Sequence, residues 1–263
     1  MTKLQLIVLS SAIFLFSILY FGFDTKPSSR TAIERTRSLT TESTDINVIL
    51  SEAKVNLSPD EAAIIGSLEQ ALTETTTDSV KIGLLEKLSG TWYDLRRPDI
   101  AGHYAEVIAE KVNSSEAWSI AGTTYAIGAQ RLEEEKNKSY CSGRAIRSFE
   151  NAISLDPNEI KHQVNLALCY TDNPPAGNPM KGIQMLLGLS KENPEESLVQ
   201  TTLARLAIKT GQFDKAIKRL DSVLEKDKSN KIAPCLLAKA YEGKGDEGKA
   251  KVYLEICQTN TTN

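Results

Sequence analysis

Residues 203–223 read LARLAIKTGQFDKAIKRLDSV, and residues 237–257 read LAKAYEGKGDEGKAKVYLEIC. Six positions of these two stretches match at one separation of 34 residues: Leu203 with Leu237, Ala204 with Ala238, Gly211 with Gly245, Ala216 with Ala250, Leu220 with Leu254, and Val223 with Cys257. A period of this length, with two amphipathic helices in each unit, indicates a solenoid built from helix pairs.

The same pattern recurs toward the N-terminus. The clearest earlier unit has Trp118-x-x-Ala121-Gly122-x-x-Tyr125 on its first helix and Ala145-x-x-x-Phe149-x-x-Ala152-x-x-x-x-Pro157 on its second. Two further units rest on these residues: Leu85, Leu88, Ser89, Trp92, Ala101, Ala105 and Ile108 in one, and Leu166, Ala167, Tyr170, Gly182, Leu186, Leu189 and Pro194 in the other. On these residues the chain resembles the tetratricopeptide repeat family over roughly residues 81–258. The sequence therefore predicts an all-α superhelix of about five helix pairs.

Residue size explains why these positions repeat. Small residues such as Gly122 and Ala145 let the two helices of a pair approach closely, and large ones such as Tyr125 and Phe149 fill the space between pairs. One pair cannot bury its apolar face alone, so we expect neighbouring pairs to stack.

Two units are longer than the period. About eleven extra residues separate Tyr125 from Ala145, including the charged run 131–138, RLEEEKNK. We expect an extended first helix or a charged loop there, either as a tolerated surface insertion or as an edge that contacts a partner. Three extra residues lie in 172–179, DNPPAGNP, for which the prolines predict a rigid turn.

The N-terminus predicts a membrane anchor. The 20 residues from Leu4 to Phe23 carry no charge, and as a helix they would span about 30 Å. A cleaved secretory signal is the alternative, although no small-residue cleavage site ends the stretch. The predicted organisation is an anchor or signal sequence at 1–23, a flexible linker at 24–57 with a short helix near 46–54, an N-terminal helix at 58–78, the repeats at 79–258 and a tail at 259–263.

The side of the membrane stays open at this stage. Lys3 precedes the apolar stretch, whereas Lys26, Arg30, Arg35 and Arg37 follow it, which favours a cytoplasmic body. The combination of an anchor with repeats is similar to bacterial tetratricopeptide proteins of cytochrome c maturation, which implies a periplasmic body. We expect the periplasmic side.

Few residues suggest catalysis or cofactor binding. The net charge of −3 does not suit a dedicated nucleic-acid binder. The run Gly243-x-Gly245-x-x-Gly248 imitates a dinucleotide loop, but the residues before it predict a helix where that loop needs a strand. His103 and His162 stand alone, so we expect no metal and no cofactor.

The four cysteines are likewise expected to be structural. Cys169, Cys235 and Cys257 fall on repeat helices. We expect Cys257, which matches Val223, to be a small buried thiol, and Cys141, beside the insertion, to be at the surface.

The family resemblance implies that the first helices of the pairs line a groove that binds a peptide. Carried over to this chain, the groove residues are Lys161, Val164, Asn165, Leu168, Thr202, Arg205, Lys209, Leu236 and Lys239. The basic members suggest an acidic partner. After the last pair no capping helix follows, so its outer face could pair with another copy of the chain. The sequence thus predicts a membrane-anchored, non-catalytic scaffold, with an assembly factor as the narrower alternative and an enzyme as the least supported one.

Overall fold

The structure, a computed structural model, describes residues 45–262, with side chains described up to residue 260. The chain divides into two compact units, residues 1–51 and residues 52–263. Twelve α-helices and no strand occur in the described part: α1 Ile46–Val55, α2 Pro59–Glu74, α3 Asp78–Asp94, α4 Pro98–Val112, α5 Ser115–Arg131, α6 Glu135–Leu155, α7 Ile160–Asp172, α8 Lys181–Glu192, α9 Ser197–Lys209, α10 Phe213–Lys226, α11 Ile232–Lys244 and α12 Glu247–Thr262.

The predicted membrane helix lies outside the described residues. Between residues 45 and 262, none of the helices has both the length and the apolar character needed to cross a bilayer.

Helix α2 begins with a capping box formed by Ser58 and Glu61. The Ser58 hydroxyl accepts a hydrogen bond from the Glu61 backbone amide, and the Glu61 carboxylate accepts one from the Ser58 amide at 2.8 Å. Pro59 occupies the first turn, where its missing N–H costs nothing. The short helix α1 also lies where the sequence predicts a helix, near residues 46–54.

Helices α3 to α12 form five antiparallel pairs, which confirms the predicted repeat architecture. Each of α3, α5, α7, α9 and α11 packs against the helix that follows it, and each second helix up to α10 also packs against the first helix of the next pair. The apolar clusters follow the same rule. Val164 of α7, Leu186 of α8 and Val199 of α9, for example, bury one shared core. The hydrophobic core is therefore continuous from pair to pair.

The small residue predicted at position 122 is required by a close approach. A Cβ on Gly122 would lie 3.0 Å from the ring of Phe149, which is itself buried. Phe149 of α6 thus packs against α5 of its own pair, because no side chain intervenes. It also shares a core with Leu166 and Tyr170 of the next pair, which is where the sequence predicts it to pack.

The insertion lengthens the second helix of its pair more than the first. Helix α5 ends at Arg131 and α6 begins at Glu135, so that α6 has 21 residues whereas the second helices α8 and α10 have 12 and 14. Of the two alternatives predicted there, the extended first helix is confirmed, since α5 has 17 residues whereas α7, α9 and α11 have 13 each. The charged loop is wrong, because only residues 132–134 connect the two helices.

Two expectations about cysteines are wrong. Cys141 is fully buried inside α6, where its Sγ packs against Gly128 of α5. Cys257 is half-buried and forms a disulfide with Cys235. Cys141 turns inward because the insertion continues the helix, which keeps that side chain on the core face.

The outer face of the last helix is more polar than the equivalent face of α10. Ile217 and Leu224 of α10 pack into the core shared with α11, but Lys251 and Gln258 occupy the matching positions of α12. Leu254 keeps its apolar character and is 49% exposed, whereas its counterpart Leu220 is fully buried. The last helix is therefore partly adapted to end the array.

Candidate functional site

A cavity of about 650 Å³ lies between the first helices of two adjacent pairs. Helices α5 and α7 form its two sides, and α6 forms its floor. The first helices α5, α7, α9 and α11 pack side by side in that order, so the cavity belongs to a surface that continues along them.

The cavity has an apolar floor and a polar rim. Phe149 and Ala145 of α6 lie at the bottom, and Ile120 of α5, which is 54% exposed, and Leu168 of α7 complete the apolar surface. Hydroxyl and amide side chains surround it: Ser119, Thr123, Thr124, Ser139, Ser142, Asn165 and Asn173. Such a combination binds an apolar group and orients it by hydrogen bonds around its edge.

The rim presents hydrogen-bond acceptors. The Thr123 hydroxyl donates to the Ser119 carbonyl oxygen at 2.8 Å, and the Thr124 hydroxyl donates to the Ile120 carbonyl oxygen at 2.9 Å. Each hydroxyl has thus used its only proton within its own helix and keeps its oxygen lone pairs for a ligand. The N–H groups of an extended peptide would match these oxygens.

The extension of α6 narrows one end of the cavity. Glu135, Lys138 and Ser139, all from the additional turns of α6, line the cavity beside the ends of α5 and α7. Lys138 and Glu135 face each other at 3.9 Å. The insertion therefore contributes directly to the candidate site.

Two hydrogen bonds hold the helices together at the same end. The Gln130 side-chain amide donates to Asp172 at 2.9 Å and joins α5 to the last residue of α7. The Asn173 amide donates to the Ser142 hydroxyl at 2.7 Å and joins the end of α7 to α6. These bonds fix the spacing between the walls, so the cavity exists without a ligand.

The one cysteine of the cavity wall is not an activated nucleophile. Burial, with a smaller contribution from the negative charge of Asp172, raises the pKa of the Cys169 thiol to about 12. The thiol therefore stays protonated at neutral pH, whereas nucleophilic cysteines need a lowered pKa.

The structure brings only part of the predicted groove set together. Lys161, Asn165 and Leu168 line the cavity, and their contact with a peptide stays a prediction. Val164, Thr202 and Leu236 point into the core instead and are at most 6% exposed. Arg205 and Lys209 of α9 and Lys239 of α11 are exposed.

The residues that the sequence analysis missed come from α5 and from the extension of α6. The length of the insertion was the only signal for the residues of α6. The pattern does not say how eleven residues divide between two helices, and so it could not place Ser139 or Ser142 beside α7. The face of α5 with Ile120 and Thr123 was open to prediction, because these residues occupy the repeat positions of Asn165 and Leu168 on α7.

Known proteins share this architecture. A family profile described as tetratricopeptide repeat matches residues 176–233. A tetratricopeptide repeat protein from Parabacteroides merdae is 12% identical, with a TM-score of 0.52 over 88% of this chain and 80% of that one. A thermophilic tetratricopeptide repeat protein from Thermus thermophilus is 17% identical, with a TM-score of 0.50 over 69% of this chain and 91% of that one. A comparison with curated sequences finds no match. At these identities the two likenesses show the fold alone.

Proposed function

As the chain is a tetratricopeptide repeat protein, we propose that its repeats act as a scaffold that binds an extended segment of another protein. The cavity between α5 and α7 carries this proposal. It anchors an apolar side chain of the bound segment on Ile120 and Leu168, while the threonine oxygens accept hydrogen bonds from the backbone of that segment.

The size of the cavity fits this role. A volume of about 650 Å³ holds a few amino-acid residues, which suits a short linear segment rather than a folded surface. The packing of α5 against α7, and of α7 against α9, extends the binding surface beyond the cavity.

The charge of the neighbouring surface suggests an acidic segment beyond the anchor residue. Arg205 and Lys209 of α9 and Lys239 of α11 are exposed on the first helices of the next two pairs. A segment that runs from the cavity along these helices meets positive charge, which speeds its association and fixes its direction.

We propose binding rather than catalysis as the activity. Three of the five charged residues that line the cavity have partners in the fold: Asp172 accepts a hydrogen bond from the Gln130 amide, and Lys138 lies 3.9 Å from Glu135. The cavity lining contains no histidine, and its cysteine is protonated at neutral pH.

Peptide selection tests the proposal. A library of displayed 12-residue peptides is selected on the full-length chain, and the selected peptides are measured by fluorescence polarisation. We expect the selected peptides to share a large apolar residue. Ile120→Glu should weaken their binding at least tenfold, because it places a charge at the cavity mouth. Ile64→Glu is the matched control, since Ile64 is 53% exposed on α2 and does not line the cavity.

A second comparison tests the charge preference. Arg205→Glu together with Lys239→Glu should weaken the binding of peptides that carry acidic residues and leave the binding of neutral peptides unchanged. Equal binding by the Ile120→Glu and Ile64→Glu variants contradicts the proposed anchor, and equal binding of acidic peptides by the charge-reversed variant contradicts the proposed acidic partner.

We further propose that the segment from Leu4 to Phe23 tethers this scaffold to a membrane, as its length and lack of charge suggest. An assembly factor, similar to the tetratricopeptide proteins of cytochrome c maturation, is the narrower alternative. Membrane fractionation tests the tether: the chain should stay in the pellet after a carbonate wash, and a version with Leu9→Lys and Phe16→Lys should leave it.

A further inference from the structure

The last helix pair is the only one in the described part of the chain that contains a disulfide. Cys235 of α11 and Cys257 of α12 are bonded, with their Cα atoms 4.8 Å apart and a sequence separation of 22. Both residues are half-buried, whereas the other two cysteines, Cys141 and Cys169, are buried thiols.

The last pair also differs from the others in its packing. The helices α4, α6, α8 and α10 each pack against their own partner helix and against the first helix of the next pair. Within residues 45–262, α12 has substantial packing with α11 alone. Within the described residues no helix packs extensively on the face that carries Leu254, whereas α11 fully buries its counterpart Leu220.

The non-covalent contacts of α12 within the described residues are mainly with α11. Tyr253 stacks on Tyr241 with the ring centroids 5.6 Å apart, and the Lys249 ammonium lies 5.1 Å from the centroid of the Tyr241 ring. Ala250 adds a small partly buried contact. A helix that packs on one side only frays more readily than one held on two sides.

The preceding pair shows what occupies the same positions where a neighbour is present. Thr201 and Val223 lie 34 residues before Cys235 and Cys257, and both are 3% exposed. The cysteine pair thus replaces an ordinary core pair at the one end of the array where the next first helix is missing from the described chain.

We propose that the Cys235–Cys257 disulfide is a covalent clamp that holds α12 on α11, and that it forms in an oxidising compartment. Disulfides persist in the periplasm and outside the cell, whereas the cytosol keeps such thiols reduced. The clamp therefore favours the extracytoplasmic side for the repeats.

Formation of the bond follows ordinary thiol–disulfide exchange. The thiolate of one cysteine attacks a disulfide of an oxidising protein, and the second cysteine then attacks the mixed disulfide. The two cysteines lose two protons and two electrons in total as their S–S bond forms, and the oxidant leaves with both of its sulfurs reduced to thiols. The partial exposure of both cysteines gives the oxidant access.

Hydrogen exchange tests the clamp. Amide exchange of the full-length chain in detergent is followed by mass spectrometry with and without a phosphine reductant. We expect reduction to speed exchange in α12 about 30-fold or more, which is the lower end of the range of stabilisation that disulfides produce. The peptides from α5 to α7 serve as the internal control and should not change.

The double variant C235S/C257S provides the matched control. Its α12 should exchange as fast as that of the reduced wild type, and the reductant should have no further effect on it. Unchanged exchange of α12 after reduction of the wild type overturns the clamp.

Thiol trapping tests the compartment. Cells that produce the full-length chain are quenched in acid, and the denatured protein is treated with a maleimide polymer that adds mass to each thiol. We expect two adducts before reduction and four after it, with two in both cases for C235S/C257S. Four adducts before reduction overturn the assignment to an oxidising compartment, whatever the exchange experiment shows.

Discussion

Gly182 of α8 lies directly against the backbone of Ala167 in α7. A Cβ on Gly182 would overlap the Ala167 carbonyl oxygen and would stand 2.6 Å from the amide nitrogen of Thr171. Backbone atoms cannot turn away as a flexible side chain can. The two helices of this pair therefore keep their spacing only while position 182 has no side chain.

Replacing Gly182 should for this reason destabilise the array. We expect Gly182→Ala to lower the free energy of unfolding by about 2–3 kcal/mol, because the helices must separate to admit the methyl group. Gly188→Ala in the same helix is the control. Gly188 is exposed and a Cβ there meets nothing within 4 Å, so the exchange should stabilise the helix by about 0.5–1 kcal/mol. Urea unfolding followed by circular dichroism measures both, and equal stability of the two variants contradicts the close approach.

The equivalent leucines of the last two pairs should respond differently to truncation. Leu220→Ala removes a fully buried side chain from the core between α10 and α11, at a cost of about 3 kcal/mol. Leu254→Ala makes the same chemical change 34 residues later, where the side chain is 49% exposed, and should cost less than about 1 kcal/mol.

The measurement is again urea unfolding, repeated over a range of protein concentrations. A cost for Leu254→Ala that approaches that of Leu220→Ala and depends on concentration would mean that another copy of the chain covers Leu254. The expected small and constant cost would mean that the last helix ends the array.

The repeat architecture could be predicted from the sequence because its signals are local and periodic. The separation of 34 residues fixes which positions are equivalent, and small residues such as Gly122 mark where helices must touch. The capping box at Ser58 and Glu61 is local as well. Each of these features depends on side chains that are close in sequence or on a pattern that repeats.

The candidate site was predicted less well because it depends on contacts between distant segments. Asn165 and Leu168, taken from family positions, line the cavity, yet Val164 is adjacent to Asn165 in sequence and turns into the core. The charged insertion lacks a helical pattern of apolar residues, so its sequence does not show how many of its residues belong to each helix. The disulfide needs α12 to fold back on α11 before Cys235 and Cys257 meet, and no spacing in the sequence shows that.

A buried polar network joins two helix pairs. Glu106 of α4 is 4% exposed, accepts a hydrogen bond from the Tyr125 hydroxyl of α5 at 2.8 Å, and lies 3.2 Å from the guanidinium of Arg144 in α6. Arg144 also lies near the ring of Tyr140, 5.6 Å from its centroid. The carboxylate therefore compensates a partly buried cation and a buried hydroxyl at once.

Removing the Glu106 carboxylate should lower the free energy of unfolding more than removing the Tyr125 hydroxyl does. We expect Glu106→Ala to lower the free energy of unfolding by about 3 kcal/mol, since Arg144 loses its counter-ion and the Tyr125 hydroxyl loses its acceptor. Tyr125→Phe deletes one hydrogen bond and keeps the ring, so about 1–1.5 kcal/mol is expected. Thermal and urea unfolding supply the values. If Glu106→Ala costs no more than Tyr125→Phe, the ion pair with Arg144 contributes nothing.

Stability should fall in alkaline solution because the folded chain keeps several buried thiols and tyrosine hydroxyls protonated that ionise in the unfolded chain. Burial raises the pKa of the Cys169 thiol to about 12, and burial also raises the pKa values of the Cys141 thiol and of the Tyr104 and Tyr125 hydroxyls. In the unfolded chain thiols ionise near pH 8.5 and tyrosines near pH 10. Above those values the folded chain binds more protons than the unfolded one, so the free energy of unfolding decreases as pH rises.

The pH range of this decrease follows from the folded and unfolded pKa values of the thiol. The contribution of Cys169 is fully present below about pH 8.5 and is lost progressively up to about pH 12, with a slope that approaches about 1.4 kcal/mol per pH unit between them. Urea unfolding at intervals from pH 7 to pH 11 measures the decline. Cys169→Ser is the control, because a serine hydroxyl does not ionise in this range. The free energy of unfolding of this variant should decrease less steeply with pH, by the contribution of the Cys169 thiol. A constant stability between pH 9 and pH 11 in the wild type would contradict the burial of these groups.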